Sequence, residues 1–308
     1  MKREKHFLSL ADYSRVAILD LLHRAGEIKK GIPGKGSSRP LEGRYIGMIF
    51  EKPSTRTRVS FDVGIQQLGG HPIFMNWRDI QIGRGEPIRD TARVLSRYLD
   101  GIIIRTFGHE LLEEFVRWST VPIINALSDL LHPCQVLGDL LTLQDAGLDV
   151  EKMKAAWIGD GNNVANSWIT AAEALGFQLT LACPEGYDPS IRSNSACVRV
   201  TRDPVEAVRD ADVVSTDVWA SMGQEDEIRQ RQQVFKNYQV DFKLLSNAAP
   251  RVYVLHCLPA HRGEEITDEV MESDHSLIWD QAENRLHVQK AILEMLFGAL
   301  PPASVSRL

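Results

Sequence analysis

The sequence predicts an α/β protein of two doubly wound domains, each with a mainly parallel sheet flanked by helices, and an active site in the interdomain cleft. Three observations carry this expectation. The chain has 308 residues, too many for one ordinary core and enough for two domains of usual size. Ten short apolar runs rich in Val, Ile and Phe punctuate it, and helix-like stretches separate them. Such runs, alternating with amphipathic helices, mark parallel sheets covered on both faces.

In chain order, the first-half strands fall at residues 45–50, 71–75, 101–106 and 121–125. Those of the second half fall at 155–159, 178–183, 198–200, 212–216, 252–257 and 277–279. A helix over 57–68 stops at Gly69-Gly70, because glycine readily takes the left-handed conformation that ends a helix. Helices over 90–99 and 110–119 separate the next strands, and 137–148 reads as the connecting helix between the two groups. A helix over 163–175 ends at Gly176, and one over 264–273 follows a Pro/Gly-rich turn. The last, 283–298, places Ala291, Ile292, Met295 and Leu296 on one apolar stripe. The expected domains are 1–136 and 137–282, with 283–308 packing back on the first. Ligands of open α/β sheets sit beyond the carboxyl ends of the strands, and each motif below falls at such an end.

Composition narrows the partners. With 44% apolar and 25% charged residues the chain reads as globular rather than disordered. A net charge of −6 argues against a nucleic-acid partner, while a local arginine cluster can still make a positive pocket for a small anion. Cys134, Cys183, Cys197 and Cys257 form no Cys-x-x-Cys pair and no zinc-finger spacing. The start Met1-Lys2-Arg3-Glu4-Lys5-His6 lacks the apolar stretch of a secretory signal, and no run reaches a membrane span. The expectation is a cytoplasmic protein with reduced thiols and no membrane partner; that no cofactor is needed follows only from the activated leaving group of the reaction implied below.

After the strand ending at Phe50 come Glu51-Lys52-Pro53 and then Ser54-Thr55-Arg56-Thr57-Arg58, opening a helix. A capped helix start offers outward N–H groups and a positive dipole end, which suits an anion. Hydroxyls and planar guanidinium forks add directional donors for phosphate. A plain capped helix with surface arginines is the bland alternative. Two further basic groups follow strand ends, Arg105 and the His132 of His132-Pro133-Cys134-Gln135. Taken singly, Arg105 reads equally as a salt-bridge partner and His132 as a structural histidine.

The second half carries Asp160-Gly161-Asn162-Asn163, then Asp217-Val218-Trp219-Ala220-Ser221-Met222-Gly223, then His256-Cys257-Leu258-Pro259-Ala260-His261-Arg262-Gly263. Gly159-x-Gly161 lacks the third glycine of a dinucleotide loop. Asn163, Asp217 and Ser221 supply the groups an α-amino acid needs, a carboxylate for ammonium and donors for carboxylate. Cys257 reads by itself as a small apolar filler. Its flanking His256 and His261 fit no standard zinc spacing, so no metal is expected.

Together these motifs resemble the aspartate and ornithine carbamoyltransferase family over nearly the whole chain. The Ser221-Met222-Gly223 loop and His256-Cys257-Leu258-Pro259 resemble its ornithine-using branch. The resemblance implies carbamoyl phosphate and L-ornithine as substrates and L-citrulline and phosphate as products, in arginine metabolism. It implies that Ser54, Thr55, Arg56, Thr57, Gln81, Arg105, His132, Gln135, Cys257, Leu258 and Arg285 contact carbamoyl phosphate. Asn163, Asp217, Ser221 and Met222 then contact ornithine, and Arg105, His132, Cys257 and Asp217 carry catalysis. It also implies a homotrimer, or an assembly of trimers, in which Gln81 reaches a neighbouring subunit's site. The segment 221–239 is long and polar enough to expect a lid over ornithine. Another acceptor amine, such as putrescine or aspartate, is the nearest alternative; a non-catalytic phosphate-ligand sensor is the alternative of another class.

Overall fold

A computed structural model describes residues 5–32, 39–220 and 227–298. The chain divides into two compact units, residues 1–141 with 284–308, and residues 142–283.

The first unit opens with α1 (Arg15–Lys29), capped by the Ser14 hydroxyl. Then follow β1 (Tyr45–Phe50), α2 (Thr55–Gln67), β2 (His71–Asn76), α3 (Ile88–Leu95), β3 (Gly101–Arg105), α4 (His109–Trp118), β4 (Ile123–Leu127) and α5 (Pro133–Asp145). All four strands are parallel, in the order β2-β1-β3-β4. Each residue of β3 is buried, as an interior strand covered on both faces requires, and so is each residue of the edge strand β4, whose outer side pairs with Phe7. The edge strand β2 has no buried residue, half of its six being exposed and half partly so. The chain starts at β1, goes to β2 on one side and then to β3 on the other. The order therefore reverses between β1 and β3, which is where such sheets hold ligands.

The second unit repeats the plan with five parallel strands. They are β5 (Lys154–Ile158), β6 (Gln178–Ala182), β7 (Val198–Thr201), β8 (Val213–Thr216) and β9 (Tyr253–His256), in the order β7-β6-β5-β8-β9. The helices are α6 (Asn163–Leu175), α7 (Pro204–Val208), α8 (Ile228–Phe235), α9 (Phe242–Leu245), α10 (Asp268–Met271) and α11 (Ile278–Phe297). Here the order reverses between β5 and β8. The chain passes between the units twice, within α5 and within α11.

Several expectations change. Residues 277–279 are not a strand. Leu277 donates its N–H to the Val254 carbonyl, Val254 donates its own to the His275 carbonyl, an isolated bridge joins Val254 and Ser276, and then α11 begins. Gln281 takes over the edge of β9, its Oε1 accepting the His256 N–H at 2.9 Å. Helix 264–273 shrinks to α10, because Val240 and Ile266 form a bridge that keeps the chain before Thr267 extended. The connecting helix starts at Pro133, whose fixed φ suits a first helical turn, rather than at 137. Of the expected lid, residues 228–235 are α8, with Phe235 in the core; residues 221–226, including Ser221 and Met222, lie outside the described residues.

Candidate active site

At the first reversal point the turn after β1 is held from several sides. Glu51 donates its N–H to the Arg105 carbonyl at 2.8 Å, tying the ends of β1 and β3 together. Its carboxylate accepts from the Thr106 hydroxyl at 2.5 Å and the Phe107 N–H at 3.0 Å. Buried Lys52 pairs with Asp129 and lies 4.2 Å from the centre of the Phe107 ring. Ser54 caps α2, accepting the Thr57 N–H at 3.2 Å. The N–H groups of Thr55 and Arg56 precede any helical acceptor and stand at the positive end of the helix dipole.

Helical spacing gives this turn two faces. Ser54, Thr55 and Arg58 line a cavity of about 570 Å³ together with Phe74, Asn76 and Arg78. The Arg58 guanidinium stacks 3.6 Å from the Phe74 ring centre, a good cation–π distance. Arg56 stands exposed at the second position of α2. Thr57 faces the other way and is buried, its hydroxyl accepting from Arg285 Nη2 at 3.1 Å.

That opposite face opens a chain of buried polar groups. Arg285 Nη1 donates to Gln135 Oε1 at 2.7 Å, and Gln135 Nε2 donates to Asp139 at 2.8 Å. A guanidinium can only donate, so the amide of Gln135 has its oxygen toward Arg285 and its nitrogen toward the carboxylate. Gly138 lets Arg285 lie against α5, since a Cβ there would stand 3.3 Å from Arg285 Cδ. Arg105 and His132, both nearly buried, adjoin this chain. Burial, reinforced by the positive charges of Arg285 and Arg105, holds His132 well below the usual histidine pKa. His132 is therefore a neutral imidazole at physiological pH, beside two fixed cations. The cluster suits a developing oxyanion.

At the second reversal point Asp217 follows β8. Its Oδ1 accepts from the Val218 N–H at 2.8 Å and the Cys257 thiol at 3.0 Å, and its Oδ2 accepts from Asn162 Nδ2 at 2.7 Å. Asn162 also caps α6 through its oxygen, so one amide orients both the helix start and the carboxylate. Asn163 is the first residue of that helix. Gly161 is needed here because a Cβ would lie 2.2 Å from the Pro189 nitrogen.

Cys257 and Leu258 follow β9. Leu258 has φ +58°, a strained conformation for a branched side chain, and its N–H donates to His256 Nδ1 at 2.9 Å. His256 Nε2 meets buried Glu265 at 2.9 Å, which makes it the protonated nitrogen. Asp217, His256 and Cys257 offer ligand atoms within 4.8 Å of one another. Both ring nitrogens of His256 are already committed, so the donor set does not fit a metal without breaking them.

The structure thus gathers Thr57, Arg105, His132, Gln135 and Arg285 in one unit and Asp217 with Cys257 in the other. Gln81 sits apart, on an exposed 3-10 turn (Gln81–Arg84), and is not among the residues lining the cavity. Reading the sequence missed Asn162, Asp139 and Arg231. Asn162 alone had a visible signal, an Asn directly before a helix.

Fold and site define a class of two-unit α/β proteins, with an anion-type site on the first sheet and a carboxylate-centred site on the second. Residues 5–145 match the family model described as the carbamoyl-P binding domain of aspartate/ornithine carbamoyltransferase, and residues 151–296 match its Asp/Orn binding domain. A Geobacter metallireducens protein named ornithine carbamoyltransferase is 55% identical over 303 residues, 95% of this chain and 99% of its own. An anabolic ornithine carbamoyltransferase of Pseudomonas aeruginosa is 54% identical over 296 residues, covering 95% of this chain and 97% of its own. The solved ornithine carbamoyltransferase of Pyrococcus furiosus superposes with a TM-score of 0.89 at 46% identity, over 96% of this chain and 98% of that one. The chain belongs to the aspartate/ornithine carbamoyltransferase family.

Proposed function

We propose that this protein transfers the carbamoyl group of carbamoyl phosphate to L-ornithine, giving L-citrulline and phosphate. The observation that carries the acceptor is Asp217. It is 7% exposed and is held by an amide, a backbone N–H and a thiol, all of them neutral donors. Such a carboxylate receives an ammonium group and repels the second carboxylate of aspartate. Relatives named ornithine carbamoyltransferase support the same choice.

In the mechanism we infer, carbamoyl phosphate binds first. Its phosphate lies at the start of α2, against Ser54, Thr55, Arg56 and Thr57, and its carbamoyl group meets Arg105, His132 and Gln135, with Arg285 behind them. By family resemblance Cys257 and Leu258 are also assigned to carbamoyl phosphate. Ornithine is held by Asp217 and Asn163, with Ser221 and Met222 assigned by family resemblance. The neutral δ-amine attacks the carbamoyl carbon and forms a C–N bond. Electrons pass to the carbonyl oxygen, where Arg105 and neutral His132 stabilise the charge. Collapse re-forms the carbonyl and breaks the C–O bond to phosphate, which carries off the proton shed by the new C–N nitrogen and is received by Arg56 and the helix start. Cys257, donating to Asp217, helps orient the attacking amine. Phosphate is already a good leaving group, so the reaction calls for no cofactor.

Gln81 on its exposed turn fits a role in a neighbouring subunit's site. Half-exposed Val59, Val63 and Ile73 beside edge strand β2 support an interface there, and a trimer is the proposed assembly. Among the described residues no helix is long and apolar enough to cross a membrane, and a cytoplasmic location is proposed. Two relatives are named anabolic, which supports a role in arginine synthesis. Asp217→Asn tests the acceptor assignment. It should cut kcat/KM for ornithine at least a hundredfold while carbamoyl phosphate still binds; unchanged ornithine kinetics would remove the assignment.

A further inference from the structure

The acceptor side holds a second carboxylate that the mechanism does not use. Asp160 follows β5 and Asp217 follows β8, the two strands between which the order reverses. Asp160 is 8% exposed. Arg231 of α8, also buried, spans the gap between those strand ends. Its Nη1 donates to Asp160 Oδ2 at 3.0 Å and to the Trp219 carbonyl at 2.8 Å, and its Nε donates to Glu227 at 2.9 Å. The guanidinium also lies 4.8 Å from the Tyr187 ring centre. One side chain therefore fastens the end of β5 to the segment two residues beyond Asp217.

Burial pushes the Asp160 carboxyl up to about 6 even though Arg231 pulls it down, and Asp217 and Glu227 add to the rise. The charged groups facing Asp160 are Arg231 and Glu227 at α8 and Asp217 after β8, with the titratable Cys183 thiol after β6. A buried ion pair kept against its desolvation penalty points to function. The chemistry supplies one. The δ-amine attacks only when neutral, and each bare carboxylate near it favours the ammonium form. Asp217, with Cys257, already orients that amine; a second carboxylate left bare would disable the nucleophile.

We propose that Arg231 is a positioning residue that sets acceptor specificity, tying the two strand ends together and cancelling Asp160 so that Asp217 alone receives an ammonium group. This rests on the reading of the second unit as the ornithine site.

The test uses the full chain and initial rates between pH 6 and 9, varying ornithine at saturating carbamoyl phosphate and the converse. Wild type comes first; if it makes no citrulline from ornithine, the functional reading fails whatever the variants do. With wild-type turnover in hand, Arg231→Gln should raise the ornithine KM about tenfold, the loss expected for one buried charged contact, while the carbamoyl phosphate KM stays within about twofold. It should also add an ionisation to the ornithine kcat/KM profile that Asp160→Asn in the same chain removes. Arg231→Lys keeps the cation and should retain the wild-type profile at a raised ornithine KM. Equal losses for both substrates, or coinciding profiles for R231Q with and without D160N, overturn the proposal.

Discussion

Thr57→Val is the sharpest probe of the buried chain behind the phosphate turn. Valine keeps the shape of threonine and leaves intact the Thr57 N–H that Ser54 caps. It deletes only the hydroxyl that accepts from Arg285 Nη2 at 3.1 Å, at a residue 1% exposed. A buried hydrogen bond to a charged group contributes about 1.5–3 kcal/mol. Losing about 2 kcal/mol corresponds to roughly thirtyfold in an equilibrium constant. If Arg285 holds Gln135 in its working orientation, that loss divides between folding and ligand binding. The carbamoyl phosphate KM should rise about tenfold in initial-rate assays, and melting followed by differential scanning fluorimetry should drop by about 2–4 °C for each kcal/mol lost from folding. Thr57→Ser restores the hydroxyl and should restore both. A valine variant with wild-type KM and wild-type melting would refute the argument that this chain supports the site.

Gly161→Ala should cost the ornithine site more than the fold, because its Cβ would strike the backbone at Pro189 beside Asn162; ornithine KM measured against carbamoyl phosphate KM checks this. His132 is held neutral when folded, so as pH falls through about 6.5 the unfolded chain binds the proton first and the folded state loses stability. His132→Asn should therefore show a shallower fall in urea midpoint between pH 7 and pH 5, and equal slopes would contradict the assignment. Turnover should climb toward alkaline pH as the ornithine δ-amine deprotonates; a flat rate from pH 6 to 9 would sink direct attack by that amine.

Much of this was legible in the sequence because its signals are local. Strand β1 occupies residues 45–50 as the apolar run indicates, and Ser54 caps the next helix as a serine after a strand should. What stayed hidden depends on pairs far apart along the chain. Arg285 and Gln135 lie 150 residues apart, and Arg231 and Asp160 lie 71 apart. No periodicity links such positions, so Arg231 read as one charge in a polar loop. In α1, by contrast, Ala17, Ile18, Leu21, Leu22, Ala25 and Ile28 repeat at helical spacing behind the Ser14 cap, a local signal of a helix ahead of the first strand. Residues 277–279 failed for a tertiary reason, since a three-residue apolar run suits a helix start as well as a strand, and Gln281 closes the edge of β9.

The central claim is that a phosphate grip on the first unit and a carboxylate on the second together select carbamoyl phosphate and ornithine. Incubating the purified protein with carbamoyl phosphate and, separately, ornithine, putrescine or aspartate measures this directly, scoring ureido product against phosphate released. The account predicts one citrulline per phosphate with ornithine, and rates lower by at least two orders of magnitude with the other amines. Equal or faster turnover with putrescine or aspartate, or phosphate release without ureido product, would contradict it.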